Sequence, residues 1–396
     1  MKVLLVEDAR DVRKVLSLSL NKFGHDVATA EHGAEALEML NNQPEIQMVV
    51  SDVSMPVMDG HALCRTIKQQ DFGRFVYFIL LSSKDQEQEI IEGLKIGADD
   101  FITKQSPLAE LNARIGVGQR IIELNNELNQ QNERLTKAYA QIKKDLLMAA
   151  EMHSSLLPTH SELPGTEFAW ICNCSAYLGG DMFDYQRLDE NTIAFYLLDV
   201  SGHGIPSALL SFTLKYAMSP SQKGATLLKR FISRPPHYEI LQPVEVVSKL
   251  NERYMSQGNS TQYFTMIYAL LNVKTGRVTV CQAGHPGLLH QTKTSTTERS
   301  MNGFPVGMLP DVEYEQFEFD LSPGDRLFIF SDGVTECFSP SKEEFGTERL
   351  IRTINDNHHL GIDDQAKLVE QTLISWNRGD QFDDDVSFLA LEWQGL

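Results

Sequence analysis

The chain has 396 residues, more than a single domain of roughly 100–200 residues holds, so two or three folded units are expected. It carries 35 basic against 54 acidic residues, a net charge of −19, which argues against the basic surface that nucleic-acid binding needs. Hydrophobic residues make up 42% and charged residues 22%, enough apolar material for sizeable cores and too much for a mainly disordered chain.

The first apolar run, Met1 to Val6, passes straight into Glu7 and Asp8. It is too short for a secretory segment and reads as a first β-strand, and the protein as cytoplasmic. Phe75–Leu81 is among the longest apolar runs and is only strand-sized, so no membrane span is expected. The five cysteines (Cys64, Cys172, Cys174, Cys281, Cys337) are odd in number and scattered, which predicts neither a disulfide framework nor a zinc site. Cys172 and Cys174, in a strand-like stretch, read as ordinary buried thiols.

To about Phe101 short β-branched runs (Lys2–Val6, Asp26–Ala30, Met48–Ser51, Val76–Leu81, Asp100–Thr103) alternate with amphipathic segments. This predicts a doubly wound α/β domain with a parallel sheet, whose site lies beyond the carboxyl ends of the strands. The residues at those ends carry chemistry. Glu7, Asp8 and Asp52 are hard oxygen ligands for Mg²⁺. Asp52 can act as a nucleophile toward a phosphoryl group, with the Ser82 hydroxyl and the Lys104 ammonium holding its oxygens. Any one such carboxylate is an ordinary turn or cap residue, but five groups at successive strand ends form a set.

From about Pro107 to Leu157 the strands stop and Ile121, Leu128, Leu135, Ile142, Ala149 and Leu156 recur every seven residues, with Leu124, Ala138 and Met152 between them. The heptads predict a helical connector that pairs as a parallel coiled-coil homodimer, weakened by Gln131 and Asp145 in the seam and ended by Pro158, with a single long helix packed on its own domains as the alternative. From about Ser161, strands at Thr192–Asp199, Phe264–Asn272, Val278–Ala283, Arg326–Ser331 and Val386–Leu391 mix with helices at Ile205–Met218, Pro243–Met255, Glu348–Ile354 and Ala366–Ile374. That mixture predicts an antiparallel α+β domain.

In this last segment Gly179-Gly180-Asp181, Asp199-Val200-Ser201-Gly202-His203-Gly204, Ser331-Asp332-Gly333 and Asp383-Asp384-Asp385 sit at strand edges beside glycine or turns. A like-charge cluster of this size needs cations. All-oxygen ligation selects Mg²⁺ or Mn²⁺ over zinc, and two such ions about 4 Å apart can generate a nucleophile for in-line attack on a phosphomonoester. His203 and His285 read as structural or supporting groups, with direct chemistry as the alternative. The stretch Ser219–Gln242, with Lys223, Lys229, Arg230 and Arg234, is the one locally basic piece and reads as a solvated insertion, with recruitment of a phosphoprotein as the functional alternative.

Val6-Glu7-Asp8, Asp52-Val53-Ser54-Met55-Pro56-Val57-Met58-Asp59-Gly60, Leu81-Ser82, Gly97-Ala98-Asp99-Asp100 and Thr103-Lys104 resemble the receiver domain of two-component response regulators over residues 1–115. The resemblance implies phosphotransfer to Asp52 from a sensor histidine kinase or phosphotransfer protein, with Mg²⁺ on Glu7, Asp8 and Asp52 and with Ser82 and Phe101 as the switch pair. Receivers usually carry Pro after the lysine, whereas Gln105-Ser106-Pro107 follows Lys104 here.

The carboxylate motifs, with Gly284-His285-Pro286, Pro305-Val306-Gly307, Pro323-Gly324-Asp325-Arg326 and the lead-in Glu151 to Pro158, resemble metal-dependent (PPM) serine/threonine protein phosphatases of the bacterial SpoIIE/RsbU-like type. This implies a PPM β-sandwich flanked by helices over residues 158–396, following a connector at 116–157. It also implies two Mn²⁺ or Mg²⁺ ions held by Asp181, Asp199, the Val200 carbonyl, Asp332 and Asp384, with Asp385 a less certain neighbour. The phosphate-gripping arginine of eukaryotic relatives has no counterpart before Gly179. The implied substrate is a phosphorylated STAS-type anti-sigma-factor antagonist in a partner-switching pathway. The rival reading, a catalytically inactive adaptor, predicts missing metal carboxylates, and all four positions are filled.

Overall fold

The computed structural model describes residues 1–82, 87–159, 163–202, 204–219, 227–256, 262–379 and 381–395, with the backbone alone for 87–91. The chain divides into two compact units, Met1–Gln141 and Ile142–Leu396.

The first unit runs β1 (Lys2–Val6), α1 (Arg10–Lys22), β2 (Asp26–Ala30), α2 (Gly33–Asn42), β3 (Met48–Asp52), α3 (Gly60–Gln69), β4 (Tyr77–Ser82), α4 (Glu87–Ile96), β5 (Asp100–Thr103) and the start of α5 (Leu108–Leu156). The five strands are parallel in the order β2-β1-β3-β4-β5. Their near-continuous apolar runs follow from burial on both faces. Leu4, Val6, Val49 and Phe78 lie in one core, and Val3, Leu5, Val50 and Ile79 in the other. The order reverses between β1 and β3, which opens a crevice at their carboxyl ends.

Helix α5 is a single element of 49 residues. Its first turns bury Leu111, Ile115 and Ile122 against the β-strand core of the first unit. Beyond them the predicted seam is open: Leu124, Leu128, Leu135 and Ile142 are 65%, 54%, 56% and 57% exposed.

The second unit comprises β6 (Thr166–Asn173), β7 (Met182–Arg187), β8 (Thr192–Val200), α6 (Ile205–Ala217), β9 (Lys229–Phe231), β10 (Tyr238–Ile240), α7 (Pro243–Ser256), β11 (Phe264–Asn272), β12 (Arg277–Ala283), β13 (Leu288–Gln291), β14 (Thr296–Arg299), β15 (Gln316–Asp320), β16 (Arg326–Phe330), α8 (Asp332–Thr335), α9 (Gly346–Asp356), α10 (Ile362–Asn377) and β17 (Val386–Trp393). Two antiparallel sheets, β15-β12-β11-β8-β7 and β14-β13-β16-β17-β6, pack face to face through Phe183, Phe195, Ile267, Leu327 and Leu389. Helices α6 and α7 cover the outer face of the first sheet, and α9 and α10 that of the second. The result is a four-layer α-β-β-α sandwich, the architecture expected from alternating inward residues on both sheets. Sequence patterning leaves out β7, β9, β10, β13, β14 and β15, and finds β6 only as a strand-like stretch at its end. β7, β14 and β15 are edge strands, which have less to bury; β13 is buried between β14 and β16 but, at four residues, is too short to show a period, as are the three-residue β9 and β10.

Ile115 is fully buried against Val3, Leu5 and Ile79. Ile115→Ala is expected to destabilise the N-terminal unit by about 2–5 kcal/mol in urea unfolding, whereas Val15→Ala, on the exposed face of α1, changes it by less than about 0.5 kcal/mol.

Candidate functional site

The first cluster forms at the crevice between β1 and β3. Glu7 and Asp8 follow β1 and Asp52 ends β3. Each offers a carboxylate oxygen, and the three atoms lie within 4.8 Å of one another, the one such acidic group among the described residues. Glu7 and Asp52 are 1% and 5% exposed, while Asp8 faces solvent. Lys104 resolves part of the charge: its Nζ is 2.7 Å from Glu7 Oε2 and 2.8 Å from Asp52 Oδ2. Burial raises the Glu7 pKa, opposed by Lys104 and reinforced by Asp52. Three acids against one ammonium leave net negative charge and all-oxygen donors, which fits Mg²⁺.

The loop after Lys104 holds its shape without the usual proline. The Ser106 N–H donates to the Thr103 carbonyl (3.0 Å) and the two hydroxyls meet at 2.9 Å, closing a turn that aims Lys104 inward. Ser82 is buried at the end of β4, and the Lys104 N–H donates to its carbonyl at 2.7 Å. Phe101 is half-buried against the core, with the Arg114 guanidinium 5.9 Å from its ring centre. The acids of the Gly97-Ala98-Asp99-Asp100 motif are structural. Asp99 accepts from Lys68 Nζ (2.6 Å) and the Phe78 N–H (2.7 Å), and Asp100 pairs with Arg114 (2.6 Å).

The second cluster is assembled by strand register. Met182 pairs with Leu198 in the β7–β8 ladder, so Asp181, just before β7, stands across from Asp199 near the end of β8. In the other sheet, Phe330 pairs with Phe388, which brings Asp332, the first residue of α8, beside Asp384 and Asp385 at the start of β17. The close approach explains the glycines. A Cβ on Gly333 would stand 2.1 Å from the Asp385 carbonyl oxygen, and one on Gly180 would stand 2.7 Å from the Val200 carbonyl oxygen, filling the space before that predicted ligand.

Electrostatically these acids act on one another. Asp181 is 1% exposed, and among the described residues neither carboxylate oxygen has a hydrogen-bond donor. The hydroxyls of Ser331 and Ser387 lower its pKa from nearby but point elsewhere, Ser331 Oγ to the Asp385 carbonyl (3.1 Å) and Ser387 Oγ to Cys172 Sγ (3.9 Å). Burial, then Asp199 and Asp385, holds Asp181 well above the usual carboxylate range. Burial, then Asp332, Asp384 and Asp385, pushes Asp199 up to about 7, and burial with Asp384 raises Asp332. No cation is among the largest influences on any of the three. An orphaned buried carboxylate in an all-oxygen, uncompensated cluster fits divalent cations.

Asp385 plays a different part. Its Oδ1 accepts the Ser175 N–H (2.8 Å) and hydroxyl (3.1 Å), and its Oδ2 accepts the Gly180 N–H (2.7 Å). It clamps the loop that presents Asp181. Ser175, 210 positions away in sequence, carries no signal by which sequence reasoning finds it.

Other expectations are redistributed. Cys172 and Cys174 are half-buried rather than buried, because they sit where β6 leaves the sheet; Cys64, Cys281 and Cys337 are buried. His285 is buried on the β12–β13 connection with Nδ1 3.1 Å from the Pro286 carbonyl, and burial pushes its pKa down to about 4. His203 and Lys223 lie outside the described residues. In the β9–β10 hairpin, Lys229 donates to the Leu188 carbonyl and sits over Tyr238, and Arg230 pairs with Glu245 and Glu239, so much of the local positive charge is answered internally.

Because Asp181 and Asp199 have raised pKa values, the folded cation-free chain holds protons that the unfolded chain releases near its ordinary carboxylate pKa. The C-terminal unit is then expected to lose stability in EDTA as pH rises from about 4 to about 7, and to gain more from Mn²⁺ at about pH 7 than at about pH 5. Thermal unfolding across that range checks this, and a pH-independent melting temperature in EDTA contradicts it.

Residues 189–394, more than half of the chain, match the family Stage II sporulation protein E (SpoIIE), and residues 3–116 match the response regulator receiver domain. Phosphoserine phosphatase RsbU of Bacillus subtilis (strain 168) is 30% identical over 251 residues, covering 62% of this chain and 65% of that protein. Phosphoserine phosphatase RsbP of the same organism is 27% identical over 199 residues, covering 49% and 46%. The chain thus spans between 46% and 65% of the length of these relatives. Among solved structures, the SiaA-PP2C domain of Pseudomonas aeruginosa aligns with a TM-score of 0.54 at 17% identity over 65% of this chain and 98% of that one, a likeness of fold. With its antiparallel sandwich and paired acidic strand ends, the chain belongs to the SpoIIE family and carries a response regulator receiver domain at its N-terminal end.

Proposed function

We propose that this chain is a response regulator in which phosphorylation of Asp52 controls a metal-dependent serine/threonine protein phosphatase in the C-terminal unit. The observation that carries the reading is Asp181, a buried carboxylate with no donor among the described residues, facing Asp199, which in turn lies in the field of Asp332, Asp384 and Asp385. Such an arrangement is costly in an adaptor and useful in an enzyme that binds cations.

In the receiver, an Asp52 oxygen attacks the phosphoryl group and the Lys104 ammonium, already 2.8 Å from the other oxygen, stabilises its charge. In this reading Ser82, at the end of the neighbouring strand, bonds a phosphoryl oxygen, and Phe101 is its switch partner on β5. Glu7, Asp8 and Asp52 hold Mg²⁺. In the C-terminal unit, Asp181, Asp199, the Val200 carbonyl, Asp332 and Asp384 hold two Mn²⁺ or Mg²⁺ ions, and Asp385 keeps their loop in place. Bound divalent cations supply neutralisation of phosphoryl charge and acidification of water.

The phosphoryl donor in this reading is a sensor histidine kinase or phosphotransfer protein. The substrate is a phosphorylated STAS-type anti-sigma-factor antagonist in a partner-switching pathway, a reading supported by the likeness to the two phosphoserine phosphatases. The open apolar row on α5 supports pairing with a second copy as a parallel coiled coil. No described helix is long and apolar enough to cross a membrane.

Hydrolysis of a phosphorylated STAS-domain antagonist with Mn²⁺ is expected to fall by about 100-fold or more in Asp199→Asn and Asp332→Asn; retained activity rejects the assignment. Acetyl phosphate or a cognate kinase should label Asp52 and leave Asp52→Asn unlabelled, and beryllofluoride on the native chain should change the phosphatase rate. Equal rates with and without it remove receiver control. Leu128→Lys with Leu135→Lys is expected to shift the chain from dimer to monomer in sedimentation, which a monomeric parent chain would contradict.

A further inference from the structure

The fold brings together two thiols at the edge of the second acidic cluster. Cys172 is the next-to-last residue of β6 and Cys174 follows directly on the strand's end, two positions on. Each thiol is the other's strongest influence. Cys174 Sγ lies 4.0 Å from Nδ1 of His153, whose ring is 2% exposed and stacks on Phe212. Cys172 and Cys174 are among the residues lining an open cavity with Ser154, Tyr177 and Gln381. The neighbouring Cys172, and then His153, lower the Cys174 thiol to about 5 against the opposing effect of burial, whereas burial pushes Cys64 up to about 11 and Cys281 up to about 12.

The same loop controls the acids. Ser175, next to Cys174, makes two hydrogen bonds to Asp385 Oδ1, and the Cys174 sulfur is 3.0 Å from where a Cβ on Gly179 would stand. Cys172 is held by the β6–β17 ladder opposite Ser387, while Cys174 lies just past the last paired residue. Movement that joins the two sulfurs therefore falls on Cys174 and Ser175.

We propose that Cys172 and Cys174 are a hydroperoxide-sensitive thiol pair whose oxidation to a disulfide draws Ser175 away from Asp385 and weakens the cation affinity of the acidic cluster. The Cys174 sulfur attacks the terminal oxygen of hydrogen peroxide or an organic hydroperoxide: the S–O bond forms, the O–O bond breaks and the departing oxygen takes the thiol proton to leave as water or an alcohol. The Cys172 sulfur then attacks Cys174: the S–S bond forms, the S–O bond breaks, and the hydroxyl leaves with the Cys172 proton as water. Two electrons pass from the thiols to the peroxide. An extended i, i+2 pair has its Cα atoms about 6.6 Å apart, near the upper limit of about 6.8 Å for a disulfide, so the bond strains the loop and is readily reduced. The effect on cations rests on the proposed role of the cluster; the oxidation does not.

The test uses the reduced full chain carrying Asp8→Asn and Asp52→Asn to silence the first cluster, treated with a small excess of hydrogen peroxide. Peptide mapping is expected to show loss of two hydrogens confined to the peptide holding Cys172 and Cys174, before Cys64, Cys281 or Cys337 reacts. In Cys172→Ser, dimedone should trap a sulfenic acid on Cys174. Mn²⁺ affinity by calorimetry is expected to fall about 10–100-fold on oxidation, the range for lost partners of metal ligands. Dithiothreitol should restore it, and Cys174→Ala should show no fall. Oxidation that is unselective among the five cysteines, or a selective disulfide with unchanged Mn²⁺ affinity, overturns the proposal. A reduced chain that binds no Mn²⁺ overturns instead the cation reading of the cluster, and the peptide map still decides the thiol pair.

Discussion

The C-terminal unit is organised around carboxylate charge that its described side chains leave without a cation among the strongest influences on it. Asp181, Asp199, Asp332 and Asp384 stand at strand ends of the two sheets, and the strongest influences on Asp181, Asp199 and Asp332 are burial and neighbouring carboxylates. Taking a carboxylate from water without a partner costs several kcal/mol, and the fold must hold such groups in place. It does so with the most rigid parts available. Asp181 and Asp199 are placed by adjacent strands of one sheet, Asp332 and Asp384 by adjacent strands of the other, and the two sheets are locked by a core of large side chains such as Phe183, Phe195 and Leu389.

The N-terminal cluster solves the same problem differently. Its three acids have an internal ammonium, Lys104, which bridges Glu7 and Asp52. In the second cluster the strongest influences on Asp181, Asp199 and Asp332 include no such cation. Asp385 shows how much depends on context. It is adjacent to a predicted ligand, yet its oxygens are taken by Ser175 and Gly180 and its work is mechanical.

Helix α5 contributes residues to both units. Its first turns are core, with Ile115 and Ile122 buried beside Val3 and Leu5, and its last turn delivers His153 to the side of Cys174. The apolar row between these ends is exposed within a single chain. A seam with Gln131 and Asp145 among its core positions is a weak one, and weak seams have more than one accessible pairing.

Much of this was legible in the residues themselves. The parallel strands of the first unit are short apolar runs bounded by turns, and Glu7, Asp52 and Lys104 follow them because strand ends are where a doubly wound sheet exposes chemistry. The central strands of the sandwich, such as Phe264–Asn272, announce themselves by burial on both faces, and the acidic motifs by glycine beside aspartate. Edge strands such as Gln316–Asp320 do not, since one polar face leaves little periodic signal. Tertiary structure alone decided which acids face one another, that Asp181 has no donor among the described residues, that Asp385 is a clamp and that Cys174 lies against His153. These follow from strand register and sheet packing, which join residues up to about 200 positions apart through contacts that no local pattern records.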